Sequence, residues 1–174
     1  MKKLLLVLAL GLGFTSTSHA DLLVEPYIGY EVGSGSTGSN DFKQTGTDLG
    51  LRLGYASPVM FWAALDYTMG SGTWDPDTGS NSDLKRTTLA GVLGVDLPIL
   101  FRAWVGYGFT NEFKLDSNTW KGKSTKFGVG FTGLPFVSVN LEIINDTFDD
   151  SSSGSDPDAK NTSYLLSVSL PLEF

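Results

Sequence analysis

Catalysis near neutral pH calls for an imidazole, a thiol or carboxylates set apart by their surroundings. The chain of 174 residues holds one histidine, His19, and no cysteine. Aspartates gather in two polar stretches, Asp75, Asp77 and Asp83 in one and Asp149, Asp150, Asp156 and Asp158 in the other. Aspartates so spaced could ligate calcium. However, Asp75-x-Asp77 runs into Gly79 where an EF-hand loop needs a ligand, and its closing Glu is missing. They read instead as solvated acidic loops. The glycine-rich stretch 33–38 leads into no helix, so it is not a phosphate loop. These residues point to no catalytic centre, no cofactor and no metal.

The N-terminus reads as an address. Lys2 and Lys3 precede an apolar run, 4–13, that is too short to span a bilayer. Ser18-His19-Ala20 puts small residues at the −3 and −1 positions, so cleavage is expected after Ala20. Residues 1–20 are then a secretory signal peptide and 21–174 a single domain. Cleavage removes the histidine and two lysines and moves the formal charge from −7 to −9. Such an acidic chain is not expected to bind nucleic acid, which needs cations against its phosphates. No later stretch of about 18 apolar residues could form a transmembrane helix.

What would position side chains here is a repeated hairpin. Ser57-Pro58, Leu97-Pro98 and Leu134-Pro135 cut the chain at intervals of 37 to 40 residues, and each interval holds a strand-like run, a polar stretch and a second run. Eight strands are predicted, at 23–33, 47–57, 59–70, 85–96, 99–110, 123–133, 136–146 and 162–174. The Pro turns are short. The links 34–46, 71–84, 111–122 and 147–161 are long and rich in Gly, Ser, Asn and Asp. A meander with alternating link lengths puts all its short turns at one end.

Helix is excluded by period-two alternation. In 47–57, Leu49, Leu51, Leu53 and Tyr55 oppose Asp48, Gly50, Arg52, Gly54 and Ala56. In 99–110, Phe101, Ala103, Val105, Tyr107 and Phe109 oppose Arg102, Trp104, Gly106, Gly108 and Thr110. A soluble barrel of the lipocalin kind would carry many Lys and Glu on its polar face. Here that face is mostly Gly, Ala, Ser and Thr, which suits the inside of a narrow barrel. The apolar face is banded by depth. Tyr55, Phe61, Phe101, Phe131, Phe136 and Phe174 lie towards the short turns, and Tyr30, Tyr67, Tyr107, Phe127 and Tyr164 towards the long links. Two aromatic girdles around an aliphatic band match two membrane–water interfaces.

The last run alternates Tyr164, Leu166, Val168, Leu170, Leu172 and Phe174 to the final residue. Together with the hairpin plan, this resembles the small eight-stranded outer-membrane β-barrels typified by OmpX and the OmpA membrane domain. The resemblance implies an all-β, eight-stranded antiparallel up-and-down transmembrane barrel in the Gram-negative outer membrane. It also implies surrounding lipid and lipopolysaccharide, and a C-terminal segment read by the barrel-assembly machinery. Enzymes built on such barrels use a histidine-based site, and 21–174 has no histidine. One departure is visible: Pro26 and Pro171 fall in the first and last strands, where a missing N–H should break the closing seam near the periplasmic rim.

Parity turns ten charged residues inward: Glu25, Glu31, Arg52, Asp66, Arg86, Asp96, Arg102, Lys126, Glu142 and Glu173. Lys126 is expected nearly opposite Glu142, Arg52 one strand from Glu31 and from Asp66, and Arg102 beside Asp96. Paired in this way they plug the lumen, and Trp62 and Trp104 obstruct its periplasmic end. The expected role is a structural or surface-contact scaffold whose four acidic links meet partners outside the cell. The alternative is a narrow porin-like channel, favoured by the space that inward Gly50, Gly54, Gly106, Gly108, Gly128 and Gly130 would leave. A secreted soluble ligand-binding barrel is the least favoured reading.

Overall fold

A computed structural model describes residues 21–38, 40–116, 118–152, 154 and 157–174. The expected signal peptide and Asp156 lie outside the described residues. The strands are β1 (Asp21–Thr37), β2 (Asn40–Ala56), β3 (Phe61–Pro76), β4 (Ser82–Leu97), β5 (Phe101–Leu115), β6 (Asn118–Leu134), β7 (Val137–Ser151), β8 (Ala159–Ser169) and a two-residue β9 (Leu172–Glu173). From β1 to β8 each pairs antiparallel with the next, and β8 and β9 both pair with β1. The sheet therefore closes into an all-β up-and-down barrel with eight strand positions, the last shared by β8 and β9.

The alternation in the sequence settles which side faces out. Leu49, Leu53, Leu65, Val105, Val129, Leu166 and their neighbours stand on the outer surface, while Arg52, Asp66, Lys126 and Glu142 are buried inside. In water this exterior would be an aggregation surface. Surrounded by hydrocarbon it is stable, because every strand has its hydrogen-bonding partner and no edge is left open. A soluble ligand-binding barrel would have its apolar and polar faces the other way round, and the structure overturns that alternative.

The seam is interrupted where the two prolines meet. Residues that exchange hydrogen bonds across an antiparallel pair use N–H and C=O on the same side. The Pro26 carbonyl accepts from Leu170 N at 3.0 Å, so its missing donor also faces that strand. Pairing stops after Ser169 and resumes at Leu172, and Phe174 and Leu22 exchange both backbone bonds, at 2.9 and 3.1 Å. The break is local, and the rim closes again below it.

The strands are longer than the sequence suggests. β1 to β7 run 15 to 17 residues. At ~3.3 Å per residue and a tilt near 40° they stand about 40 Å tall, against a hydrocarbon core of about 30 Å. The surplus lies at the end away from the Pro turns. The predicted links 34–46 and 111–122 are almost entirely strand, with only 38–39 and 116–117 between strands. In 71–84 and 147–161, strands cover 71–76, 82–84, 147–151 and 159–161. Polar, glycine-rich composition suggested loops, but cross-strand pairing overrides it.

Candidate functional site in the barrel interior

The interior is filled in tiers. Nearest the Pro turns, Trp62 on β3 and Trp104 on β5 pack with ring centroids 6.1 Å apart among Leu23, Ala56 and Val92. The Arg102 guanidinium lies 4.5 Å from the Trp62 ring, and that of Arg52 lies 4.7 Å from Trp104. A cation over an indole face is attracted to it, more strongly when desolvated.

The next tier is an ion network. Arg52 donates to Glu25 and Asp66, each at 3.3 Å, and to Glu142. Arg102 donates to Glu25 at 3.0 Å. Lys126 reaches Asp66 at 3.0 Å and lies 3.8 Å from Glu142. Tyr27 donates to Asp66 at 2.8 Å. Three cations thus meet three carboxylates, and all six are buried. Such a group stands only as a set, since removing one member strands a buried charge.

The third tier surrounds Arg86, which donates to Glu31 at 2.7 and 2.8 Å and to Asp146 at 3.2 Å. Gln44 donates to Glu31, and Asn111 and Asn161 donate to Asp146. Asp48 is also buried here, so this tier holds more acid than base.

Above it the chemistry inverts. Leu84, Phe113, Leu115, Trp120, Phe148 and Ala159 form a buried cluster with Trp74 against it. Phe113 and Phe148 have ring centroids 4.4 Å apart, and Phe42 joins through Trp74 at 5.6 Å. Outside this zone the wall is polar: Lys43, Thr45, Thr73, Lys85, Lys114, Lys123 and Thr147 face solvent. Past the membrane band, then, the barrel carries its apolar side chains inside, as a soluble barrel does.

Eight of the ten charged positions named from parity are buried, while Asp96 and Glu173 are not. Asp96 sits at the rim, its side chain 43% exposed and 3.4 Å from Arg102, and Glu173 is exposed on β9. Two expected placements shift, those of Glu31 and Thr110. Arg52 stands directly opposite Glu25, while Glu31, six residues further along β1, belongs to Arg86. Lys126 stands opposite Ile144, diagonal to Glu142, so it keeps Glu142 at 3.8 Å as expected and also reaches across the lumen to Asp66 at 3.0 Å. Thr110 was expected inside. A bulge at Phe109 and Thr110 leaves both outside and resets the phase, which turns Asn111, Phe113 and Leu115 inward.

Side chains fill the space beside several of the inward glycines. Tyr27 lies directly across from Gly50, Trp62 from Gly94 and Trp104 from Gly128. In each pair the ring occupies the place where a Cβ on the glycine would go. Gly106 likewise seats the Lys126 stem, and Gly130 that of Arg102. Asp48 falls on the inward face read from the sequence but outside the charged set named there, and Asp146 and the upper aromatic cluster were missed. Asp48 shares a parity with Arg52, and Asp146 with Glu142, which was the available signal. Of the C-terminal signature, Tyr164, Leu166, Val168, Leu170, Leu172 and Phe174 all stand on the outer face, while Leu165 between them is fully buried.

The closed barrel, its oily belt and its filled interior are the frame for comparison. No protein-family model matches the sequence, and no curated protein matches it. Solved structures do. Neisserial surface protein A superposes with a TM-score of 0.61 at 14% identity, over 86% of this chain and 97% of its own. Ail of Yersinia pestis, crystallised with the heparin analogue sucrose octasulfate, gives 0.60 at 13% identity, over 87% and 99%. OprG from Pseudomonas aeruginosa gives 0.51 at 12% identity, over 90% and 98%. This is the fold of a small outer-membrane β-barrel. The lipid-facing belt suits that membrane, and both ends of 21–174 lie at the same end of the barrel as the Pro turns.

Proposed function

We propose that this protein is a plugged outer-membrane scaffold whose extracellular rim meets other surfaces, and that it is not a conduit. The observation that carries this reading is the stacking of three closures in series: the Trp62–Trp104 stack, the Arg52 and Arg86 networks, and the Phe113–Phe148 cluster. A solute would have to displace all three. An eight-stranded barrel has an interior about the width of its own side chains, which agrees with this.

On the same reading, outer-membrane lipid and lipopolysaccharide surround the belt. The barrel-assembly machinery reads the outward row from Tyr164 to Phe174. The hairpin tips within 34–46, 71–84, 111–122 and 147–161 are the contact surface. Reconstitution in planar bilayers tests the proposal: the expected trace has no defined conductance steps. Reproducible ohmic steps from detergent-purified, heat-modifiable protein would overturn it in favour of a channel.

A further inference from the structure

The ten basic residues of 21–174 divide into two sets by place. Arg52, Arg86, Arg102 and Lys126 are buried in the lumen. Lys43, Lys85, Lys114, Lys121, Lys123 and Lys160 all stand exposed on the outer wall above the membrane band. No basic residue faces the lipid or the periplasmic turns.

Three of these lysines, Lys85, Lys123 and Lys160, sit four residues beyond the last outward apolar residue of their strands. Outward positions read Leu89, Thr87, Lys85 up β4, Phe127, Thr125, Lys123 up β6, and Tyr164, Thr162, Lys160 up β8. A hydroxyl row thus separates the last apolar residue from the lysine. Four residues of strand rise about 13 Å along the chain and roughly 10 Å along a tilted barrel axis. A lysine stem can reach back several ångströms from there to the headgroup layer.

Their order relative to aspartate also recurs, although Glu112 lies on the membrane side of Lys114. An exposed aspartate lies two residues from the lysine in Asp41-x-Lys43, Asp83-x-Lys85, Lys114-x-Asp116 and Asp158-x-Lys160. Strand direction alternates, so the sequence order reverses on β5, yet the lysine is on the membrane side each time. Pairing for its own sake would need no such polarity. A negatively charged layer at the membrane surface would.

The set is densest on β4 to β6. Lys85 and Lys114 stand directly opposite each other, with Lys121 and Lys123 on the next strand. Directly opposed like charges destabilise a sheet. Among the described residues, only Lys121 of the six has a carboxylate within 4 Å, Glu112 at 3.7 Å.

We propose that Lys85, Lys114 and Lys123 hold the phosphate groups of the outer-leaflet glycolipid, the phosphorylated diglucosamine of lipid A. This rests on the reading above that the rim faces outwards. An anion between Lys85 and Lys114 would turn their repulsion into a shared contact.

The test uses the whole barrel in phosphatidylcholine nanodiscs, titrated with bis-phosphorylated lipid A and with its dephosphorylated form. Binding is expected to be at least tenfold tighter for the phosphorylated lipid. The K85Q/K114Q/K123Q variant should lose that preference while keeping its heat-modifiable gel migration. Equal binding of the two lipids by the wild type, or an undiminished preference in a folded variant, would overturn the proposal. Should the variant not fold, wild-type binding between 50 and 500 mM NaCl decides: a steep fall supports phosphate contact, and no change refutes it. Sucrose octasulfate bound more tightly than lipid A would assign the patch to a soluble polyanion and likewise overturn it. Bilayer conductance reads a different property, so the scaffold and the phosphate site can fail separately.

Discussion

Trp104 on β5 lies directly across from Gly128 on β6, and its indole fills the space that a side chain at 128 would need. The same relation joins Trp62 to Gly94 and Tyr27 to Gly50. Each ring projects from an odd strand over the glycine of the following even strand. The lumen is therefore packed by ring-and-glycine pairs built into the register, and the ions fill what remains.

Gly128→Ala should consequently push Trp104 off its seat and cost about 1–3 kcal/mol, the usual range for overpacking. Gly91→Ala is the control, because a Cβ there meets nothing within 4 Å. Urea unfolding in micelles, followed by the shift of the folded gel band, measures both. Equal midpoints for the two variants would contradict the seating.

Arg52→Leu should be severely destabilising, by about 3–5 kcal/mol, since Glu25, Asp66 and Glu142 would lose their shared partner. Adding Glu142→Gln to that variant should recover part of the loss, because one stranded carboxylate is neutralised. If the losses from the two single changes simply add, the groups do not act as one network.

The bulge on β5 makes a counter-intuitive forecast. Deleting Thr110 leaves one outward residue where there were two, so Asn111, Phe113 and Leu115 keep facing inward. Deleting Thr45 from the regular stretch of β2 instead turns Phe42 and Gln44 outward and Lys43 inward. The first protein should refold with near wild-type yield and the second should not. Gel-shift refolding yields compare them directly.

Phe148→Ala should loosen the extracellular end while sparing the ion tiers. It removes the ring that packs on Phe113 and Trp120 and should cost about 3–5 kcal/mol if the site cannot collapse. Trp120 and Trp74 fluorescence should shift to the red, and trypsin should cut at Lys114 or Lys121 under conditions that leave the wild type whole. Emission and protection matching the wild type would mean that the cluster contributes little.

Much of the fold was legible because each hairpin repeats and because apolar-out, polar-in alternation keeps one phase through the membrane band. Leu49, Leu51 and Leu53 against Asp48, Gly50 and Arg52 show it plainly. The rim was not legible for two physical reasons. The side-chain code reverses there, so Phe42, Trp74, Phe113 and Phe148 are apolar residues facing in, among neighbours whose composition reads as loop. The bulge at Phe109 and Thr110 then shifts the phase, so a parity count carried through it puts Thr110 on the wrong side. Ion partners were only partly legible, because a strand pattern fixes the face of a residue but not its height. Arg52 and Glu31 share the interior, yet they sit in different tiers.

The aromatic knot inside the upper barrel has one more consequence. Chain that would otherwise sample many conformations above the membrane is already held in paired strands around Phe113 and Phe148. A molecule landing on that rim would meet a preshaped platform and would not have to freeze a coil first, so less of its contact energy is offset by lost chain entropy. Modest contacts made one hairpin tip at a time could then suffice for adhesion.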